Sequence, residues 1–489
     1  MYKVTLSLSK LDPDAKAPQY AQLYEQLKLA ITDGELAEHM RMPSIRSFAG
    51  TLGVSTTTVE LAYSQLVAEG FLDSRPKRGY YVQKLPEPYW QTGGSEQDGE
   101  AATITSIPRA APMRDNLAYR YDFHLSKNDL EVFPFALWRR LSNQVLRQDH
   151  QDLLFYGDPQ GEYGLRVQIS QYLRQFRGCV CTPEQVVIGS SQHQLLTLIC
   201  HLLKGQLLHI GVENPGYLLH AETFRQQGLH VCPIPVQDNG IQVEEVYAAH
   251  VQAVCVSPSH QYPRGIVMPI AKRLQLLEWA ERVKGYIIED DYDGEFRYHG
   301  RVIPSLQGLQ GGHRVIYLGG FSQVLAPSLC IHYMVLPPDL IGVYQQMEHQ
   351  MLLEQSASRI HQCTLQLFME RGHLEKHIRK MRKRYGLKHD LLIQSIQAVF
   401  GEKAVIIGKD AGFHILLRIE HPLSEHELVL RAREAGVRVA SAAHTWLTPT
   451  SYSYREFFIG FGGIEQERIE PGIKRLYDIW YSDQGEARA

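Results

Sequence analysis

Four short runs carry the groups in this chain best suited to binding chemistry: acids, hydroxyls and aromatic rings at the ends of apolar runs. Glu289-Asp290-Asp291-Tyr292 closes the apolar run Tyr286-Ile287-Ile288, and carboxylates at the end of a buried strand are costly unless a cation or proton donor pairs with them. A protonated pyridine nitrogen is one such donor. Gly189-Ser190-Ser191-Gln192 opens a helical stretch, where backbone N–H groups, two hydroxyls and the helix dipole are suited to a phosphate. That pattern is weak alone, because any capped turn into a helix looks similar. Glu213-Asn214-Pro215-Gly216-Tyr217 adds an aromatic ring, and the run from Ser257 to Gly265, which includes His260, Tyr262 and Arg264, follows another apolar stretch.

The elements that must position these groups alternate along the chain. Gln185–Gly189, Leu207–Ile210, His230–Ile234, Ala253–Val256 and Tyr286–Asp290 are short apolar runs separated by crossover-length amphipathic stretches. This pattern predicts an α/β fold with a parallel-rich sheet covered by helices on both faces, and such sheets bind ligands at the carboxyl ends of their strands.

A different pattern precedes it. Tyr20, Leu23, Leu27 and Ile31 form one apolar stripe at helical spacing, ending near Gly34. Ser44 after Pro43 is placed to cap a short helix that buries Ile45, Phe48 and Leu52 and stops at Gly53. Ser55 caps a third, running through Val59, Ala62, Leu66 and Val67 to Gly70. Two strands then flank Arg75-Pro76-Lys77-Arg78-Gly79, a turn dense in positive charge. A helix-turn-helix followed by a basic hairpin predicts a winged helix, with the third helix in the major groove and the wing on phosphate or the minor groove. Between the two blocks, residues 85–120 hold Gly93-Gly94-Ser95, Glu96-Gln97-Asp98-Gly99-Glu100 and several prolines, the composition of a solvated linker.

Residues 18–82 resemble the GntR-type winged helix. They match P-x-Y-x-Q-L at Pro18–Leu23, P-S-x-R at Pro43–Arg46, L-G-V-S-x-x-T-V at Leu52–Val59 and A-Y-x-x-L-x-x-E-G at Ala62–Gly70. The resemblance implies that Arg46 contacts phosphate, that Ser55, Thr56, Thr57 and Thr58 open the recognition helix at the groove, and that Lys77, Arg78 and Gly79 form the wing. Thr56 stands where that family usually carries arginine, which removes one phosphate contact and flattens the salt dependence by about 0.9.

From Tyr121 onward the ordered runs resemble fold-type I pyridoxal-phosphate aminotransferases, and the combination with a winged helix resembles the MocR (GabR-like) regulators. The clearest match is 321–335, Phe-Ser-Gln-Val-Leu-Ala-Pro-Ser-Leu-Cys-Ile-His-Tyr-Met-Val, against F-S-K-x-L-x-P-x-L-R-x-G-Y. The stretches Gly372–Arg382 and Gly412–Leu417 match that family's small domain. By this resemblance Ser190, Ser191 and Ser322 meet the cofactor phosphate, Tyr217 lies by the ring, Asp290 pairs with the pyridine nitrogen and Tyr292 with the phenolic oxygen. The departures fall in the anchor segment: Gln323 at the Schiff-base lysine, Cys330 at the phosphate-gripping arginine and His332 at a glycine. Phe458 stands near the position of an arginine that holds substrate carboxylates in many relatives. An amide nitrogen shares its lone pair with the carbonyl, so Gln323 cannot form an imine, and no residue is assigned a catalytic role. Loss of one charge-assisted phosphate contact costs about 1.5–3 kcal/mol.

The expectation is therefore a winged helix over 1–84, a linker over 85–120, and over 121–489 an aminotransferase-like effector and dimerisation domain with a small C-terminal α+β subdomain. It is a DNA-binding transcriptional regulator, a homodimer whose partners are a double-stranded operator and a small-molecule effector. The effector is pyridoxal phosphate, pyridoxamine phosphate or an amino-acid adduct, held without a covalent bond. The alternatives are an active aminotransferase using another lysine, such as Lys272 or Lys284, and a regulator whose large domain only dimerises. A net charge of −3 gives no global attraction to DNA, so contact must be local. The odd count of seven scattered cysteines predicts reduced thiols in a cytoplasmic protein, and Cys179 and Cys181 lack zinc-site spacing, so no metal is expected. No apolar run is long enough for a membrane span.

Overall fold

A computed structural model describes residues 11–85, 119–298, 303–309, 313–351, 357–448 and 453–481, less 14, 16, 126 and 127. The chain divides into two compact units, Met1–Asp115 and Asn116–Ala489. The expected linker lies almost wholly outside the described residues.

The first unit contains α1 (Gln19–Thr32), α2 (Ile45–Leu52), α3 (Thr56–Ala68) and the antiparallel pair β1 (Leu72–Arg75) and β2 (Gly79–Val82). Both expected caps form. The Ser44 hydroxyl accepts from the Ser47 N–H and the Ser55 hydroxyl from the Thr58 N–H. Gly53 ends α2 with φ of +66°, a conformation that strains residues with a Cβ. Leu23, Leu27, Ile31, Phe48, Val59, Ala62, Tyr63 and Leu66 build the core. The α1 stripe differs from expectation at one end: Tyr20 is exposed, and Ala30 is buried instead.

The second unit runs through β3 (Tyr121–Asp122), α4 (Phe135–Val145), α5 (Tyr163–Arg177), β4 (Val186–Gly189), α6 (Gln192–Leu202), β5 (His209–Asn214), α7 (Leu218–Gln226), β6 (His230–Gln237), β7 (Gly240–Ile241) and α8 (Val243–Ala248). It continues through β8 (Ala253–Val256), α9 (Ile270–Val283), β9 (Tyr286–Asp290), β10 (Val315–Gly320), β11 (His332–Val335), α10 (Pro338–Met351), α11 (Arg359–Glu370) and α12 (His373–Phe400). The last part holds β12 (Ala404–Ile407), β13 (His414–Glu420), α13 (Glu425–Glu434), β14 (Val437–Arg438), β15 (Ala440–Ser441), β16 (Tyr454–Gly460) and α14 (Ile469–Tyr481).

The main sheet has the order β4-β11-β10-β9-β8-β5-β6-β7, with β11 antiparallel to both its neighbours and β7 antiparallel to β6. Both faces are covered. Along β4, Val186 and Ile188 bury with Leu165, Ile169 and Leu173 of α5, while Val187 buries with Leu195, Leu196 and Ile199 of α6. A strand covered on both sides reads as continuous apolar sequence, as these do. The antiparallel sheet β12-β13-β16-β15 with α12 and α14 forms the small subdomain. β5 begins two residues later than the run starting at Leu207 suggested, because Leu208 is exposed. Among the described residues no helix is long and apolar enough to cross a membrane.

Candidate functional site

A cavity of about 320 Å³ opens at the carboxyl ends of the strands. Ser191, Tyr217, Asp290, Tyr292, Ser322 and Gln323 all line it, brought together from the ends of four strands, β4, β5, β9 and β10. Ser190 and Cys330 do not line it. The Ser190 N–H donates to the Gln194 side chain at 2.9 Å. Cys330 is exposed, sits in the left-handed region at φ +52°, and its thiol turns back to the Pro327 carbonyl.

Each acid of the run Glu289-Asp290-Asp291 is handled differently. Glu289 accepts from the Leu306 and Gln307 N–H groups at 2.8 and 3.0 Å, and burial pushes its carboxyl up to about 7. Asp291 pairs with the buried Arg177 at 2.5 Å. Asp290 alone of the three faces the cavity, with His220 Nε2 at 3.3 Å from its Oδ2. Burial opposes charge on His220, yet the Cys255 sulfur and the Asp290 carboxylate outweigh it and hold the imidazole protonated well above its usual range. Burial, then Asp290, raises the Tyr217 phenol, whose ring meets His220 edge-on at 5.4 Å.

On the opposite wall the Tyr292 hydroxyl lies 3.0 Å from His260 Nδ1, which is 2.8 Å from Asp293 Oδ2. His260 Nε2 is buried without a partner. His414, at the start of β13, is pushed down to about 3 by burial and by His260, so it is neutral, and it contacts the Pro263 carbonyl at 3.4 Å. Burial also lowers His332. Phe458 backs this wall rather than lining it, stacking on Tyr262 at 5.6 Å.

Gln323 is held by its own backbone. Asn128 donates to the Ser322 and Gln323 carbonyls at 3.0 and 3.2 Å, and His377 bonds the Val324 carbonyl at 2.9 Å. The Gln323 Oε1 atom is buried with no partner, a deficit that a ligand donor would relieve. Neither Lys272 nor Lys284 lines the cavity. Lys272 is tied to Asn239 and the Ile241 carbonyl, and Lys284 ends α9.

His220 and Asp293 were not singled out from sequence, and His260 was named only as part of the run from Ser257 to Gly265. His220 lies one helical turn beyond Tyr217, a spacing that places both on one side of α7 and was the available signal.

In the first unit, Arg46, Thr56 and Thr57 are exposed. Ser55 and Thr58 share a 2.8 Å hydroxyl contact within the cap of α3. Pro76, Lys77 and Arg78 form the exposed turn between β1 and β2, with Gly79 at φ +100° where β2 begins. Arg75 is used at home, pairing with Asp73 and lying over the Tyr81 ring.

Residues 19–82 match the family model "Bacterial regulatory proteins, gntR family", and residues 122–451 match "Aminotransferase class I and II". The chain is 38% identical to the uncharacterized HTH-type transcriptional regulator YhdI of Bacillus subtilis, covering 96% of this chain and 97% of the relative. It is 32% identical to the probable rhizopine catabolism regulatory protein MocR of Rhizobium meliloti, covering 95% and 94%. The chain belongs to the MocR-like GntR regulators. The fold of this MocR-like regulator's large domain is that of aminotransferases: a Pyrococcus horikoshii kynurenine aminotransferase, solved in complex with PMP, matches with a TM-score of 0.66 and 24% identity over 76% of this chain and 93% of that one. The cavity of this domain is lined by Asp290 and Asp293, by Tyr217, Tyr262 and Tyr292 and by the capped start of α6, and among the described lining residues there is no lysine.

Proposed function

We propose that this regulator's aminotransferase-like domain binds a B6 compound without a covalent bond and uses its occupancy to control DNA binding by the winged helix in the cytoplasm. The observation that carries the reading is Gln323: an amide stands in the cavity beside Asp290 and Tyr292, with its Oε1 buried and unpartnered. When bound, a B6 compound supplies a protonatable pyridine ring. Asp290 would receive the ring N–H, with His220 fixing the carboxylate's orientation. Tyr292 would hold the ring's phenolic oxygen, Tyr217 would cover its face, and Ser191, Ser322 and the first N–H groups of α6 would receive a phosphate. Gln323 Oε1 accepts a hydrogen bond and gives no nucleophile, so these residues bind and orient without transferring groups.

Because an acceptor calls for a donor, the Gln323 carbonyl oxygen favours the amine of pyridoxamine phosphate over the aldehyde of pyridoxal phosphate. Calorimetry of the full-length protein with each compound tests the reading, and absence of heat with both overturns it. We further propose a homodimer whose two winged helices read two half-sites. Sedimentation showing a monomer at micromolar concentration would contradict that.

A further inference from the structure

The amino ends of β5 and β6 lie at the other end of the sheet from the cavity. Their parallel register sets His209 opposite His230 and Gly211 opposite Cys232. Residues two apart on a strand share a face, so these four positions form a square with three metal-ligand side chains and one glycine. The ligand atoms of His209, His230 and Cys232 all lie within 4.8 Å of one another, and the two imidazole rings stand 5.0 Å apart at 84°. Cys232 is a free thiol and none of the three residues is fully buried.

We propose that this square is a zinc-type site, in which two imidazoles and one thiolate hold a borderline-soft divalent cation and water takes the fourth position. The chemistry of the set selects the class of ion: imidazole and thiolate suit zinc, whereas magnesium and calcium need oxygen ligands. Around a tetrahedral zinc ion the donor atoms stand about 3.3–3.6 Å apart, so small side-chain rotations close the site. Gly211 places no ligand at the fourth corner, where the buried Ile234 and Val254 pack to within 3.1 and 3.2 Å of the position a Cβ would take. The water ligand therefore comes from the solvent side, where His230 is exposed. From His209 to Asn214, β5 covers about 16 Å, which separates this site from the cavity rim. On binding, the Cys232 thiol gives its proton to solvent and its sulfur lone pair to the metal, with no change in oxidation state. A bound ion clips β5 to β6 near the sheet edge.

The test uses full-length protein stripped with a chelator and titrated with zinc against a chromophoric competitor, with alkylation of the cysteines followed by peptide mass mapping. We expect one zinc per chain and Cys232 alkylation slowed about tenfold or more, while the exposed Cys330 reacts as before. His230→Gln and Cys232→Ser should each weaken binding about tenfold or more. Cobalt(II) should give a near-ultraviolet thiolate charge-transfer band that Cys232→Ser removes. No uptake at micromolar free zinc, unprotected Cys232, or undiminished binding by Cys232→Ser overturns the proposal.

Discussion

Asp290→Asn isolates the contact on which ligand recognition turns. The side chain is buried at the end of β9, and His220 engages its Oδ2, which leaves Oδ1 for a ring N–H. The amide keeps the shape and removes the charge. A hydrogen bond to a charged group contributes about 1.5–3 kcal/mol, and because the carboxylate is already shared with His220, a loss of about 2 kcal/mol is expected, or roughly thirtyfold in Kd. Calorimetry with pyridoxamine 5′-phosphate at neutral pH measures it. A benzene analogue without the ring nitrogen is the control, and its affinity should fall by less than about threefold. Unchanged affinity for the pyridine compound, or equal losses for both, would refute the reasoning.

Gln323→Lys should restore a nucleophile, so that treatment with pyridoxal phosphate and borohydride adds mass to the peptide carrying position 323 in the variant and not in the native chain. Lys77→Ala and Arg78→Ala should each flatten the slope of log affinity for DNA against log salt by about 0.9 per wing, read by anisotropy across a salt series. Glu213 accepts from the Ser257 N–H, and burial pushes its carboxyl up to about 8. The folded state therefore keeps a proton that the unfolded chain releases near its ordinary carboxylate pKa, and stability from this group falls as pH rises from that ordinary value toward about 8. Glu213→Gln should gain stability relative to the native chain by roughly 1.4 kcal/mol per pH unit across that window, checked by urea unfolding at pH 5 and 7. Ser55→Ala should cost about 1 kcal/mol in winged-helix stability through loss of the α3 cap, measured by thermal unfolding.

The elements were legible where one physical rule governed them. Ser44 and Ser55 cap helices because a hydroxyl before an apolar stripe satisfies a free N–H, and β4, β8 and β9 read as apolar runs because both faces are buried. Tyr20 misled because helical spacing does not say where the stripe's cover ends. The cavity was half legible: Asp290 and Tyr292 end a strand, so their place followed from sheet topology. The contact of His220 with Asp290 and the His260–Asp293 pair became visible only through tertiary contacts, 33 residues apart in the latter case. Cys330 sits outside the cavity because the turn at φ +52° directs its short side chain to the Pro327 carbonyl, a local geometry that no spacing rule reports.

The most direct test of the account is the DNA affinity of the full-length protein, for a duplex it selects from a random library, with and without pyridoxamine 5′-phosphate at a concentration that calorimetry shows to be saturating. Differential binding to two states predicts a change in Kd of about fivefold or more. An identical Kd at full occupancy would contradict a sensing role for the aminotransferase-like domain.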